Sequence, residues 1–281
     1  MKMRSLLFVP GDRPERMRKA MDSAADVVLL DLEDSVTPAQ KTVARDAIAE
    51  FLGGETGEKS VFVRVNPLDS GAWLRRDLEC IAGHPPDGLI LPKAAGQAAI
   101  ERFDTVLETF GLGGLPILPI ATETAASVFE LGSYRAVASR LLGLTWGAED
   151  LSAAIGATAP REPNGDFTAP YVTVRSLALF AAHAAGVRAI ETVYPDFRDE
   201  EGLMRIATRA ARDGFSGMMA IHPAQLEIIN NAFEPSAEAL AHARAVVDAF
   251  AAIPGAGALS LDGQMIDAPH LKLAQRLLAG R

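Results

Sequence analysis

A single cysteine, Cys80, stands in this chain of 281 residues, so neither an intramolecular disulfide framework nor a zinc-thiolate site can form. It falls in the helical stretch LRRDLECIAG, where its simplest role is a small buried side chain. Long apolar runs are missing as well. None approaches the roughly 18 residues that a membrane span requires, and the run in MKMRSLLFVPGD is too short for a secretory signal, so the expectation is a soluble, cytoplasmic protein. Basic residues are outnumbered, 27 against 36 acidic, and the resulting charge of −9 argues against nucleic acid as a general partner, because phosphate binding needs a basic face. A small anion is still admissible, since Arg4, Arg13, Arg16, Arg18 and Lys19 gather near the start. No G-x-G-x-x-G follows the first apolar run, which removes the main reason to expect a dinucleotide fold. No two of His84, His183 and His242 have the i, i+4 spacing of a helical zinc pair.

What is present is rhythm. Nearly half the residues are hydrophobic, enough for a sizeable core. Short apolar runs read as strands at Ser5–Val9, Val27–Leu32, Ser60–Val65, Gly88–Leu91, Pro116–Ala121, Leu141–Trp146, Val187–Val193 and Gly217–Ile221. Helical patterns alternate with them, so the crossovers are parallel and closure would remove both edges of the sheet. The reading is an α/β TIM barrel, (β/α)8, over residues 1–235, with an open doubly wound sheet as the alternative. Residues 236–281 form a C-terminal helical extension, with helices at Ser236–Ala251 and Leu271–Leu278 and a turn-rich segment between them. Too small to bury a core alone, it should pack on its own barrel or reach a neighbouring subunit as a lid. The stretch Ser152–Pro170 reads as a βα connection of unusual length, which favours a functional role.

In a parallel barrel the working residues sit where strands end. Two neighbouring strands, the fifth and sixth, end in Glu123 and in Glu149-Asp150. Glu123 and Asp150 on one rim suit Mg²⁺, which takes one or two carboxylates and fills its other positions with water and substrate. Each acid also has a plainer reading, Glu123 as a helix N-terminal acid and Asp150 as a cap. Arg64 lies inside the apolar run VFVRVNP, where an unpaired charge is costly, so it needs an anionic partner: a substrate carboxylate, Glu33 or Asp34. Lys93 follows the fourth strand without a signal for Schiff-base chemistry, and His222 before Pro223 reads as a structural hydrogen-bonding residue.

The motifs RSLLFVPGDRPERMRKA, VVLLDLEDSV, VRVNP, LPK, ETAASV, WGAEDLSAAIG, AGVRAIETVYPDF, GFSGMMAIHPAQLEIIN and MIDAPHLKLA run in order along nearly the whole chain. Together they resemble the citrate lyase β-subunit-like, or HpcH/HpaI aldolase, superfamily of CoA-ester lyases. The resemblance implies a trimeric TIM barrel that cleaves or forms a carbon–carbon bond beside a CoA thioester. It further implies Glu123 and Asp150 as Mg²⁺ ligands, Arg64 as the clamp on a substrate carboxylate, and Arg13 and Lys19 as CoA contacts. Asp267 in MIDAPH matches an acid that free-standing malyl-CoA and citramalyl-CoA lyases bring in from a neighbouring subunit. The partners so implied are an acyl-CoA and a small 2-keto acid. The alternatives are a citrate lyase β-subunit working on a carrier-bound thioester within a complex, a malate synthase or malyl-CoA thioesterase relative, and a non-catalytic scaffold.

Overall fold

The computed structural model describes residues 1–54 and 57–279. Eight parallel strands form one sheet: β1 (Ser5–Pro10), β2 (Val27–Asp31), β3 (Ser60–Arg64), β4 (Gly88–Leu91), β5 (Ile117–Pro119), β6 (Gly143–Thr145), β7 (Arg188–Glu191) and β8 (Gly217–Ala220). Their order is β5-β4-β3-β2-β1-β8-β7-β6, so every sequential pair except β5 and β6 is adjacent, and β1 pairs with β8. Only the β5–β6 seam lacks a full ladder. There the parallel bridges Ile117–Leu141 and Ile120–Thr145 bring the sheet round to a nearly closed barrel. The expected TIM-barrel arrangement therefore holds, with β2, β3 and β5 to β8 shorter than the apolar runs suggest.

Side-chain alternation divides the core in two. Leu6, Val27, Leu29, Phe62, Ile90, Leu118, Ile120, Ile190 and Met219 fill one cluster, the barrel interior. Their strand neighbours, among them Leu7, Val28, Leu30, Val61 and Val63, pack outward against the helices. Buried on both faces, the strands carry the continuous apolar runs that made them legible.

Around the sheet lie α1 (Pro14–Met21), α2 (Lys41–Leu52), α3 (Ala72–Ile81), α4 (Gly96–Thr109), α5 (Ala125–Phe129), α6 (Glu149–Ile155), α7 (Ala169–Ala185), α8 (Glu200–Asp213) and α9 (Leu226–Phe233). Three details depart from the sequence reading. The helical stretch between β5 and β6 is the short α5 followed by 3-10 turns over Leu131–Arg140, broken at Val137. The presumed insertion begins inside α6, and its remainder folds back through an antiparallel bridge between Arg161 and Phe167. After β8 the chain forms α9, a helix absent from the sequence reading.

By its contacts the chain divides into two compact units, Met1–Phe233 and Glu234–Arg281. The second contains α10 (Ala237–Ala252), β9 (Ala258–Leu261), β10 (Gln264–Asp267) and α11 (Ala268–Leu278). Its turn-rich segment is thus an antiparallel hairpin. Leu261 pairs with Gln264 across Asp262-Gly263, both at positive φ, the geometry that a two-residue Asp-Gly turn favours. Ala243, Val246, Ile266 and Ala274 form its small core. No helix among the described residues is long and apolar enough to cross a membrane.

Candidate metal and substrate site

The inward parity of the strands carries polar residues to the C-terminal rim. On β2, Val27 and Leu29 face the interior, so Asp31 follows them inward; on β3, Phe62 is succeeded by Arg64. Register places Asp31 opposite Arg64. The guanidinium meets the carboxylate bidentately, Nε to Oδ1 and Nη2 to Oδ2, both at 2.7 Å. Nη1 stands 2.8 Å from Glu33 Oε2 and 3.9 Å from Asp34, and the guanidinium lies over the Phe8 ring at 4.8 Å. The buried charge at Arg64 is therefore balanced by Asp31 and Glu33, with Asp34 at the margin. Asp31 lies outside the expected set of partners.

Burial pushes the Asp31 carboxyl up, but the charge and hydrogen bonds of Arg64, with donors from Ser35 and the Glu33 backbone, outweigh it and hold the group below its usual range. The Arg64 guanidinium is fixed in the charged form, its desolvation exceeded by Asp31 and Glu33.

Glu123 leaves β5 after Thr122 and is nearly fully buried. The cap of α5 is its neighbour Thr124, whose hydroxyl accepts the Ser127 N–H, so Glu123 is not the helix-capping residue. Asp150 lies in the first turn of α6, where Ala148 is the cap. Both acids line one cavity of about 280 Å³, together with Asp31, Asp34, Arg64 and Glu149 and the apolar side chains of Phe8, Ile120, Trp146, Val193, Met219 and Ile221. Burial pushes the Glu123 carboxyl well above its usual range, and a hydrogen bond with Asp150 and the charges of Glu33 and Asp150 add to this, against the opposing Lys93 N–H.

Two carboxylates that share one cavity, with Asp150 and Glu33 raising the Glu123 carboxyl, favour a cation between them. That donor set fits Mg²⁺: hard oxygen ligands, two from protein, and room for water and substrate. Among the described residues no three or more His, Cys, Asp or Glu side chains are placed to hold a metal ion together, so a saturated protein cage is absent. Gly147 makes room for Glu123. A Cβ there would lie 2.7 Å from Glu123 Cγ, so any larger residue would drive the carboxylate from its place.

Lys93 bridges the site. Its ammonium is 2.7 Å from Glu33 Oε1 and 3.5 Å from Asp150 Oδ2, and its backbone N–H donates to Glu123 Oε2 at 2.5 Å. Desolvation is outweighed by Glu33 and the acids around it, so the amine is held protonated, the opposite of a Schiff-base lysine. Sequence alone assigned it no role.

Arg13, Lys19 and His222 do not line this cavity. Arg13, largely exposed, meets Asp12 at 3.6 Å, and Lys19 is exposed in the last turn of α1. His222 stacks on Phe197 and accepts the Ala224 N–H at Nδ1, a structural use. Cys80 is half-buried with its thiol pushed up to about 12, chiefly by burial, which leaves it inert. In the C-terminal unit, Asp267 opens α11 with Oδ1 2.6 Å from His270 Nδ1.

Known proteins share this outline. A family model described as HpcH/HpaI aldolase/citrate lyase matches residues 4–223. A citrate lyase subunit beta-like protein of Mycobacterium tuberculosis is 38% identical over 272 residues, covering 97% of this chain and 93% of that protein. An L-malyl-CoA/beta-methylmalyl-CoA lyase of Cereibacter sphaeroides is 32% identical over 293 residues, with coverage of 97% and 92%. The crystal structure of protein CitE from Mycobacterium tuberculosis, in complex with magnesium, acetoacetate and coenzyme A, matches with a TM-score of 0.84 and 38% identity over 99% of this chain and 98% of that one. With a family match over most of its length and relatives above 30% identity along nearly all of it, the chain belongs to the HpcH/HpaI aldolase/citrate lyase family, whose members include lyases.

Proposed function

We propose that this chain is a Mg²⁺-dependent carbon–carbon lyase that cleaves, or in reverse forms, a 3-hydroxy-dicarboxylic acyl-CoA such as malyl-CoA or citramalyl-CoA. The observation that carries the reading is the pairing of Glu123 and Asp150 in one cavity with Arg64. In cleavage the 3-hydroxyl loses its proton to water and the bond between the carbinol carbon and the thioester α-carbon breaks. The electron pair stays on the α-carbon as an enolate, which takes up a proton to give acetyl-CoA. The other product is glyoxylate from malyl-CoA or pyruvate from citramalyl-CoA.

Glu123 and Asp150 would hold the cation, which when bound stabilises the developing oxyanion as a Lewis acid. Arg64 would bind the substrate carboxylate. Asp31 takes its Nε and one Nη2 hydrogen, which fixes the guanidinium plane and leaves other N–H groups to donate. Such fixed orientation is worth rate because the reacting carbon is held in place. Phe8, Ile120, Met219 and Ile221 line the apolar wall and keep bulk water from the enolate. Asp267 would deliver the proton to the α-carbon, brought by the C-terminal unit of a neighbouring subunit in a homotrimer, and Arg13 and Lys19 would meet the CoA phosphates.

The test is a coupled assay with malyl-CoA and citramalyl-CoA, with and without Mg²⁺ and with no carrier protein, reading keto acid and free thiol separately. We expect keto acid to appear, only with Mg²⁺, and no free thiol. Thiol release would make the enzyme a thioesterase or synthase, and cleavage that begins only when a carrier protein is added would make it a complex-bound β-subunit.

A further inference from the structure

Lys93 stands at the end of β4 with φ of +52°, a conformation that costs a non-glycine residue about 1 kcal/mol or more. Glycine would adopt it freely, so the backbone alone gives no reason for a lysine here. The side chain does. Glu33 is nearly fully buried and shared between two cations. Its Oε1 accepts a hydrogen bond from the Lys93 ammonium at 2.7 Å. Its Oε2 lies 2.8 Å from Arg64 Nη1 yet receives no aligned hydrogen bond, so Arg64 attracts it by charge alone. Glu33 is thus held by Arg64 through charge and by Lys93 through a hydrogen bond, and the same ammonium reaches Asp150 at 3.5 Å.

We propose that Lys93 is a positioning residue that sets the charge balance of the site, loosening the grip of Asp150 on a divalent cation while drawing Glu33 away from Arg64 so that Arg64 is available to a carboxylate ligand. The inference rests on the reading that Glu123 and Asp150 hold the cation. Two consequences of opposite sign follow when the ammonium is removed. Asp150 loses a positive neighbour that repels any divalent ion beside it, so the cation binds more tightly. Glu33 turns its whole charge onto Arg64 and competes with an incoming carboxylate, so the anion binds more weakly. Damage to the packing would weaken both together.

The experiment is calorimetric titration of Mg²⁺ into the wild-type chain and into Lys93→Met, Lys93→Gln and Lys93→Arg, followed by titration of pyruvate into each protein saturated with Mg²⁺. For Lys93→Met and Lys93→Gln we expect the Mg²⁺ Kd to fall about tenfold and the pyruvate Kd to rise about tenfold, since one unit charge at a few ångströms is worth at least this much near a protein surface. Lys93→Arg, which restores the charge, returns both constants toward the wild-type values. A Mg²⁺ Kd that is unchanged, or that rises with the pyruvate Kd, overturns the inference while leaving the cation site intact. A wild-type protein that takes up no Mg²⁺ overturns the inference and the functional reading together.

Discussion

Exchanging Arg64 for Met is expected to lower kcat/KM by about 10²- to 10³-fold, the worth of two charge-assisted hydrogen bonds to a substrate carboxylate. It is also expected to destabilise the fold by about 3–5 kcal/mol, because Asp31 is completely buried and loses its bidentate partner. The second effect carries a pH signature. In the wild-type chain burial raises the Asp31 carboxyl, and Arg64 more than reverses this. Its contribution to stability is therefore complete above the unfolded carboxyl range and is lost as pH falls through the lowered folded value. Without Arg64, burial dominates and the folded carboxyl titrates above the unfolded one. The penalty is then full at neutral pH and shrinks on acidification, as protonated Asp31 becomes tolerable. Denaturant midpoints should show a gap between the two proteins that narrows from pH 7 to about pH 4, across the range where carboxyl groups titrate. A gap that stays constant would show that Asp31 does not depend on Arg64.

Asp267→Asn is the second large effect. General acid–base catalysis by a positioned side chain is worth about 10²- to 10⁴-fold, so kcat should drop by that factor while CoA affinity stays near the wild-type value. Asparagine serves as well as aspartate at the start of a helix, so α11 should remain folded, and the change isolates proton transfer from structure. Circular dichroism and CoA titration supply the controls. An Asn variant with undiminished kcat would remove this acid from the mechanism.

The rim of the barrel was largely legible before the structure, and the reason is geometric. Apolar runs mark parallel strands buried on both faces, and a carboxylate at the end of each of two neighbouring strands has one rim to occupy. The same double burial concealed Asp31. In VVLLDL no alternation separates inward from outward positions, so the facing of Asp31 within the run is hidden, and only the pairing register with Arg64 reveals it as an interior residue. Lys93 was opaque for a different reason: residue type does not encode a positive φ, and its two carboxylate contacts come from the loop after β2 and from α6, distant in sequence. The C-terminal hairpin was misread although its signal was present. Asp262-Gly263 between LSL and QMI has the form of a two-residue hairpin turn, set in a segment whose other glycines read equally as turns. Ala148 occupies the cap position of α6, so Asp150 is not its cap, while Glu123 directly before the Thr124 cap and Asp150 in a first turn both stand at helix N-termini.

The central claim is that Glu123 and Asp150 act as one unit on one cation, and Mg²⁺ titration of the wild-type chain, Glu123→Gln, Asp150→Asn and the double variant tests it most directly. We expect each single change to weaken Mg²⁺ by at least about tenfold, since even residues that merely support metal ligands cost this much. The double variant should lose scarcely more than the weaker single, as befits two groups serving one ion. An Asp150→Asn chain that binds Mg²⁺ as tightly as the wild type, or two losses that simply add, would contradict the account.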